Sequence, residues 1–205
     1  MLRSRKETFL QRLIVFLLFL FAIAPVAFTQ EISEPKTGAK FAAKDQDASL
    51  LGVGLRTKTM LKVKAYAIGL YVADSAVAGS LQGKAASPEL YRELVAGDFP
   101  KKVVMKFVRD VSTSQIRDGF RKSLGNAGPK ADEWINYFGE IRSSQEIVIA
   151  WVPGTGLQTK VAGADKPAIK DKAFASSVLG IWLGDKPVQD DLKKALVSRA
   201  PELLK

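Results

Sequence analysis

Neither cysteine nor histidine occurs anywhere in this 205-residue chain. The first absence excludes disulfides, thiolate nucleophiles and cysteine-bound metals. The second removes the commonest general base, the commonest metal ligand and the usual switch near neutral pH. An enzyme built from this chain would have to work with carboxylates, Lys, Arg, Tyr or water. Hydrolase and metalloenzyme chemistry are disfavoured, and no metal or cofactor is expected. Ser112 and Thr113 read as helix caps rather than nucleophiles, since no imidazole exists to activate them. Gly52-x-Gly54 is not a phosphate loop, because it lacks the third glycine and the following lysine. A basic stripe interleaved with aromatics is also missing. The net charge is +10, but the basic residues are scattered, which predicts a solvated basic surface rather than a nucleic-acid partner.

Hydrophobic residues make up 47% of the chain and charged residues 25%, ordinary globular proportions that argue against wholesale disorder. Arg3, Arg5, Lys6 and Arg12 precede an uncharged apolar run over residues 13–28. This is the layout of an export signal, with Pro25 breaking the helix near a cleavage point after Thr29. The run is shorter than the ~20 residues that a spanning helix needs, yet an uncleaved membrane anchor is the alternative, bringing the domain close to a membrane. Residues 1–29 are thus expected to be a signal peptide or anchor. Residues 30–48 form a polar leader with a short strand around Phe41, and residues 49–205 form one folded domain. The expected location is the periplasm or cell envelope.

Within the domain, apolar runs alternate with turn residues. Residues 50–55 and 60–72 are rich in β-branched and apolar side chains, with Gly52 and Gly54 suggesting a sharp turn or a close backbone approach. Residues 88–95 predict a short helix led by Ser87 and Pro88. A strand over 102–108 precedes a capping-box pattern, Ser112 with Gln115, opening a helix that carries Ile116, Phe120 and Leu124 on one face. Helices are expected over 131–138, 172–183 and 187–199. A hairpin joins strands 147–152 and 157–161 through Pro153-Gly154-Thr155-Gly156. Strands followed by clustered helices define an α+β class.

Residues 52–72, 102–120 and 171–196 together resemble the chalcone isomerase-like family, in the family's order and within an overall resemblance covering roughly 49–200. The resemblance implies an open-faced β-sandwich, a large antiparallel sheet with helices packed on one face and a ligand cleft between them. The family holds true isomerases and non-catalytic members, including fatty-acid-binding proteins and exported bacterial relatives. Its isomerases use an Arg in a Gly-x-Gly-x-Arg motif, where this chain has Arg56. Their Thr before Ala-x-Gly-x-Tyr is here Tyr66. Their helical Tyr and Asn fall at Ile116 and Ser123, and a later substrate-contacting Thr or Ser falls at Ile181. Fatty-acid-binding members keep the Arg and carry Tyr at the position of Tyr66, as here.

The chemistry agrees with that sorting. Stabilising an enolate needs preorganised donors, and Ile116 and Ile181 offer none. An apolar cleft with one guanidinium and one phenol suits a carboxylate with a hydrocarbon tail. The resemblance implies ligand-binding roles for Arg56, Tyr66, Ile116, Phe120, Ser123 and Ile181, with Phe174 and Trp182 as further tail contacts. Lys62 and Lys64 share the strand parity of Tyr66 and are candidates for second anion contacts or for a solvated face. The expected function is exported, non-catalytic binding of a fatty acid or similar apolar carboxylate. The alternative is an intramolecular lyase of isomerase type acting on another substrate.

Overall fold

The computed structural model describes residues 30–58, 63–85, 87–125 and 128–205. The expected export segment and Lys62 lie outside the described residues. Seven strands form one antiparallel sheet in strictly sequential order. They are β3 (Lys44–Asp45), β4 (Ala48–Lys58), β5 (Val63–Ala73), β6 (Lys101–Phe107), β7 (Glu146–Val152), β8 (Gly156–Val161) and β9 (Ala164–Ile169). Every chain neighbour in the sheet is also a spatial neighbour, so each pairing closes a local loop. The helices come between strands and after the last one. These are α1 (Asp74–Val77), α2 (Pro88–Ala96), α3 (Thr113–Leu124), α4 (Pro129–Ile135), α5 (Lys172–Leu183), α6 (Asp190–Ala195) and α7 (Ala200–Leu203).

Strand periodicity of two separates the sheet into two apolar faces. Ile68, Leu70 and Val72 join Val103, Met105 and Phe107 in the main core with α2 to α7. Ala67, Tyr71 and Val104 point the other way and form a smaller cluster with Phe41 and Leu50. Phe41 belongs to a hairpin of β1 (Glu31–Ser33) and β2 (Lys40–Ala42) drawn from the polar leader. The Ala67-x-Gly69-x-Tyr71 pattern explains how that hairpin docks. A Cβ on Gly69 would lie 2.7 Å from the Phe41 ring, and Tyr71 donates its hydroxyl to the Ala42 carbonyl at 3.0 Å.

Helix ends follow local chemistry where a cap exists. Ser112 and Gln115 make the reciprocal capping box, and the Asp171 carboxylate accepts the Phe174 amide at 2.9 Å. Two sequence expectations need correction. Residues 187–199 do not form one helix. The chain leaves α6 so that the Arg199 amide donates to the Leu51 carbonyl and its guanidinium to Leu50, sealing the β4 edge, and Pro201 then opens α7. Strand β9 went unpredicted because Ala-Asp-Lys-Pro-Ala is a poor strand sequence, tolerable only at an edge. Its hairpin turns through Ala162 and Gly163, both at positive φ, the backbone of a type I′ turn.

One buried charge sets a pH dependence. Lys101 is almost fully buried, donating to the Glu93 and Gly97 carbonyls at the end of α2 and lying over the Phe99 ring. Burial foremost, then the nearby Lys172 charge, lowers its pKa to about 8. The unfolded chain holds this proton to about pH 10.4, so between those values the unfolded state binds more protons and stability rises with pH. Tyr71, pushed up to about 12 by burial and by Asp45 and Glu146, acts oppositely: stability falls between about pH 10 and 12. The melting temperature should therefore climb from pH 8 and turn over above pH 10. In Lys101→Met the climb should flatten while the fall persists, as thermal melts across this range would report. An unaltered climb in the variant would show that surface repulsion, not Lys101, causes it.

Candidate ligand-binding cleft

Arg56 and Tyr66 are direct cross-strand partners in the β4–β5 hairpin. Strand pairing, rather than the ten-residue spacing in sequence, brings them together. A bulge does intervene: Thr57 pairs with Lys64, leaving Ala65 as an extra residue on β5. The bulge turns Ala65 toward the helices beside Tyr66 and reverses parity beyond it. Lys64 consequently reaches the leader side, where its ammonium meets the Lys36 carbonyl. The expectation that Lys64 shares the face of Tyr66 is thereby overturned.

The Gly52-x-Gly54-x-Arg56 motif acts through packing. A Cβ on Gly52 would stand 2.3 Å from the Ala195 carbonyl oxygen, and one on Gly54 would stand 2.5 Å from Leu192 Cδ1. Two missing side chains on one strand face let α6 lie directly on β4. That contact places Gln189, the residue leading α6, over the end of the strand. Gln189 Oε1 accepts from the Thr57 amide at 3.1 Å and from Arg56 Nη1 at 3.2 Å, while its Nε2 donates to the Leu55 carbonyl at 3.3 Å. Arg56 Nη1 also donates to the Thr57 carbonyl at 2.7 Å. The guanidinium is thus oriented by neutral groups, and no ion pair engages it among the described residues. Its charge is fixed in place and available.

Tyr66 is held from the opposite side. The Trp182 indole N–H donates to the Tyr66 hydroxyl at 3.0 Å. An indole can only donate, so the tyrosine oxygen accepts and keeps its own proton to give elsewhere. Burial pushes the Tyr66 pKa up, opposed less strongly by the Trp182 bond and the Arg56 charge, so the phenol is a neutral donor at physiological pH. Phe107, its neighbour on β6, packs at a ring separation of 5.3 Å.

These groups border a cleft of about 120 Å³ between the sheet and helices α3 and α5. Such a volume is roughly ten times what one water requires, so the space can take a ligand segment. Met105, Phe107, Ile116, Phe120, Ile181 and Val188 make apolar walls, and Ala65, Gly119 and Ser123 also border it. Of the expected site residues, Arg56, Tyr66, Ile116, Phe120, Ser123 and Ile181 all border this one cleft. The Ser123 hydroxyl is engaged in a 2.8 Å bond to the Gly119 carbonyl. Phe174 does not reach the cleft; it packs against Trp134 in the core, 6.1 Å between rings. Trp182 is fully buried behind Tyr66 and supports it rather than forming a wall.

Sequence reasoning missed Lys58, Arg109, Gln115 and Gln189. Lys58 carries a faint signal, since it follows the inward-facing strand residue Arg56 by two positions, whereas Arg109 lies in a bend past β6 where strand alternation says nothing. Gln189 carries none, being 133 residues from Arg56. Gln189→Glu would put a carboxylate against the guanidinium and neutralise it internally. Affinity for an anionic ligand should fall about tenfold by calorimetric titration, with a modest drop in melting temperature because the Leu55 carbonyl loses its Nε2 donor. Unchanged affinity would remove Arg56 from the binding site.

A curled antiparallel sheet carrying helices over one face, with a cleft between the layers, defines this molecule as an open-faced β-sandwich. The chain belongs to the chalcone isomerase-like family, which it matches over residues 29–198. It is 30% identical over 176 residues to chalcone isomerase-like protein 1 of Humulus lupulus, covering 74% of this chain and 82% of that protein. It is 26% identical over 210 residues to fatty-acid-binding protein 2 of Arabidopsis thaliana, covering 87% of this chain; the chain spans about half of that relative's length, 53%. The crystal structure of an Arabidopsis thaliana fatty-acid binding protein superposes with a TM-score of 0.71 at 22% identity, covering 85% of this chain and 99% of the other. That likeness bears out the fold expected from the sequence.

Proposed function

We propose that this protein is a non-catalytic carrier of a fatty acid or similar apolar carboxylate, exported to the cell envelope by its N-terminal segment. The observation that carries the reading is the pairing of an oriented, unneutralised guanidinium with a phenol whose proton is uncommitted, at the charged border of an apolar cleft. Arg56 would take the carboxylate and Tyr66 would donate a further hydrogen bond, leaving the tail against Ile116, Phe120 and Ile181. Relatives named as fatty-acid-binding proteins support the same reading. Against an isomerase role stand Ile116 and Ile181, which present hydrocarbon to the cleft where a reaction would need donors. Arg3, Arg5, Lys6 and Arg12 ahead of the apolar run support export, with residues 30–205 remaining after cleavage.

Lipid extraction followed by mass spectrometry tests the reading. Wild-type protein purified from its host should carry fatty acid and Arg56→Ala should not. Equal, trace amounts in both would sink it.

A further inference from the structure

The cleft holds more positive charge than one carboxylate can use. Besides Arg56 and Tyr66, its border includes Lys58 and Arg109, and no Asp or Glu among the described residues borders it. The topology concentrates these groups. Tyr66 lies on β5 between Arg56 on β4 and Phe107 on β6. Lys58 is the last residue of β4, two beyond Arg56, and Arg109 lies in the bend just past the end of β6; both are exposed and border the cleft at its mouth. Strands β4 and β6 lie two strand spacings apart, about 10 Å, on either side of β5, so the two cations enter from opposite sides of Tyr66.

No ion pair engages Lys58 or Arg109 among the described residues. The acid next in sequence, Asp110, is turned away, its Oδ1 accepting the Ser143 amide at 2.7 Å, while Arg109 Nε reaches only the Asp110 carbonyl. A monocarboxylate offers two oxygens, which the Arg56 fork and the Tyr66 proton already satisfy. Resting on the reading above, we propose that the preferred ligand is a chain-bearing amphiphile whose head carries two negative charges, of the phosphomonoester type. Its three terminal oxygens match three cations and one phenol. Arg56 and Tyr66 hold the inner oxygens, and Lys58 and Arg109 close on the outer one.

Dodecyl phosphate, dodecyl sulfate and dodecanoate, titrated calorimetrically into the full-length protein below their micellar concentrations, separate the possibilities. At pH 8 and physiological salt, dodecyl phosphate should bind roughly tenfold more tightly than the other two, the yield of two additional partly screened ion pairs. The groups facing the head, Arg56, Lys58, Arg109 and Tyr66, include no type that ordinarily titrates between pH 5 and 8, and the chain has no histidine. The phosphate's second ionisation, near 6, should therefore set the pH profile, with the preference shrinking toward pH 5. In the Lys58→Ala/Arg109→Ala double variant the phosphate-to-carboxylate affinity ratio should fall to about one. Circular dichroism would verify that the variant folds. Equal affinities in wild type, a sulfate as good as the phosphate, or a ratio indifferent to the double substitution would each overturn the second charge. If no amphiphile binds, or if Arg56→Ala affects none of them, the underlying carrier reading falls instead.

Discussion

Gly52→Val is expected to lower the melting temperature by roughly 6–12 °C and to weaken ligand binding with it. The new Cβ would sit 2.3 Å from the Ala195 carbonyl oxygen and 2.7 Å from Leu196 backbone atoms. Main chain cannot swing aside as a side-chain tip can, so α6 must lift from β4. Overpacking of this kind costs about 3 kcal/mol, and the displaced helix also exposes Leu192, which is 1% exposed in the native fold. Gln189 leads that helix, so the grip on Arg56 loosens as well. Gly54→Ala should be milder because its neighbours are the Leu192 and Ala195 side chains. Gly119→Ala should do the reverse. A Cβ there meets no atom within 4 Å, and the α3 interior gains the roughly 1 kcal/mol that separates alanine from glycine in a helix. Thermal melts of the three variants check the order. A Gly52→Val protein melting within about 2 °C of wild type would show that the strand and helix do not pack as described.

Arg56→Gln is expected to weaken dodecanoate binding about 30- to 100-fold while the protein stays folded. A charge-assisted bond contributes about 1.5–3 kcal/mol, and the guanidinium offers a bidentate pair with no competing carboxylate beside it. Stability should hold because Gln189 Oε1 keeps the Thr57 amide as a donor after the guanidinium is gone. Tyr66→Phe should lose less, about 5- to 10-fold, through one neutral hydrogen bond, and it leaves the Trp182 indole short of its acceptor. Titration of both variants beside wild type separates the charge from the phenol. An Arg56→Gln protein within twofold of wild type would mean that the anion is held elsewhere.

Much of this arrangement is legible in the chain. The capping box at Ser112 and Gln115, the Pro153-to-Gly156 hairpin and the apolar face of α3 follow from local rules about donors, φ angles and periodicity. Those rules need only neighbours in sequence. The glycines of the Arg56 motif left a sharp turn and a close backbone approach open, and the structure decides for the second by packing α6 on them. The β9 edge strand was hidden by its own poor strand sequence, whereas the break after α6 and the loss of Phe174 from the cleft depended on partners far along the chain.

The sequence by itself determined what chemistry is available: no thiol and no imidazole, one Arg after two spaced glycines, a Tyr ten residues further on, and hydrocarbon at Ile116 and Ile181. Composition and local pattern suffice because such limits belong to the side chains themselves. Only the tertiary structure decided how those groups are poised. The bulge at Ala65 sent Lys64 to the opposite face, α6 brought Gln189 to Arg56 across 133 residues, and α5 brought Trp182 to Tyr66 across 116. One unpaired residue reverses strand parity, and helix docking depends on the sum of many weak apolar contacts. Neither is written in any short stretch of sequence.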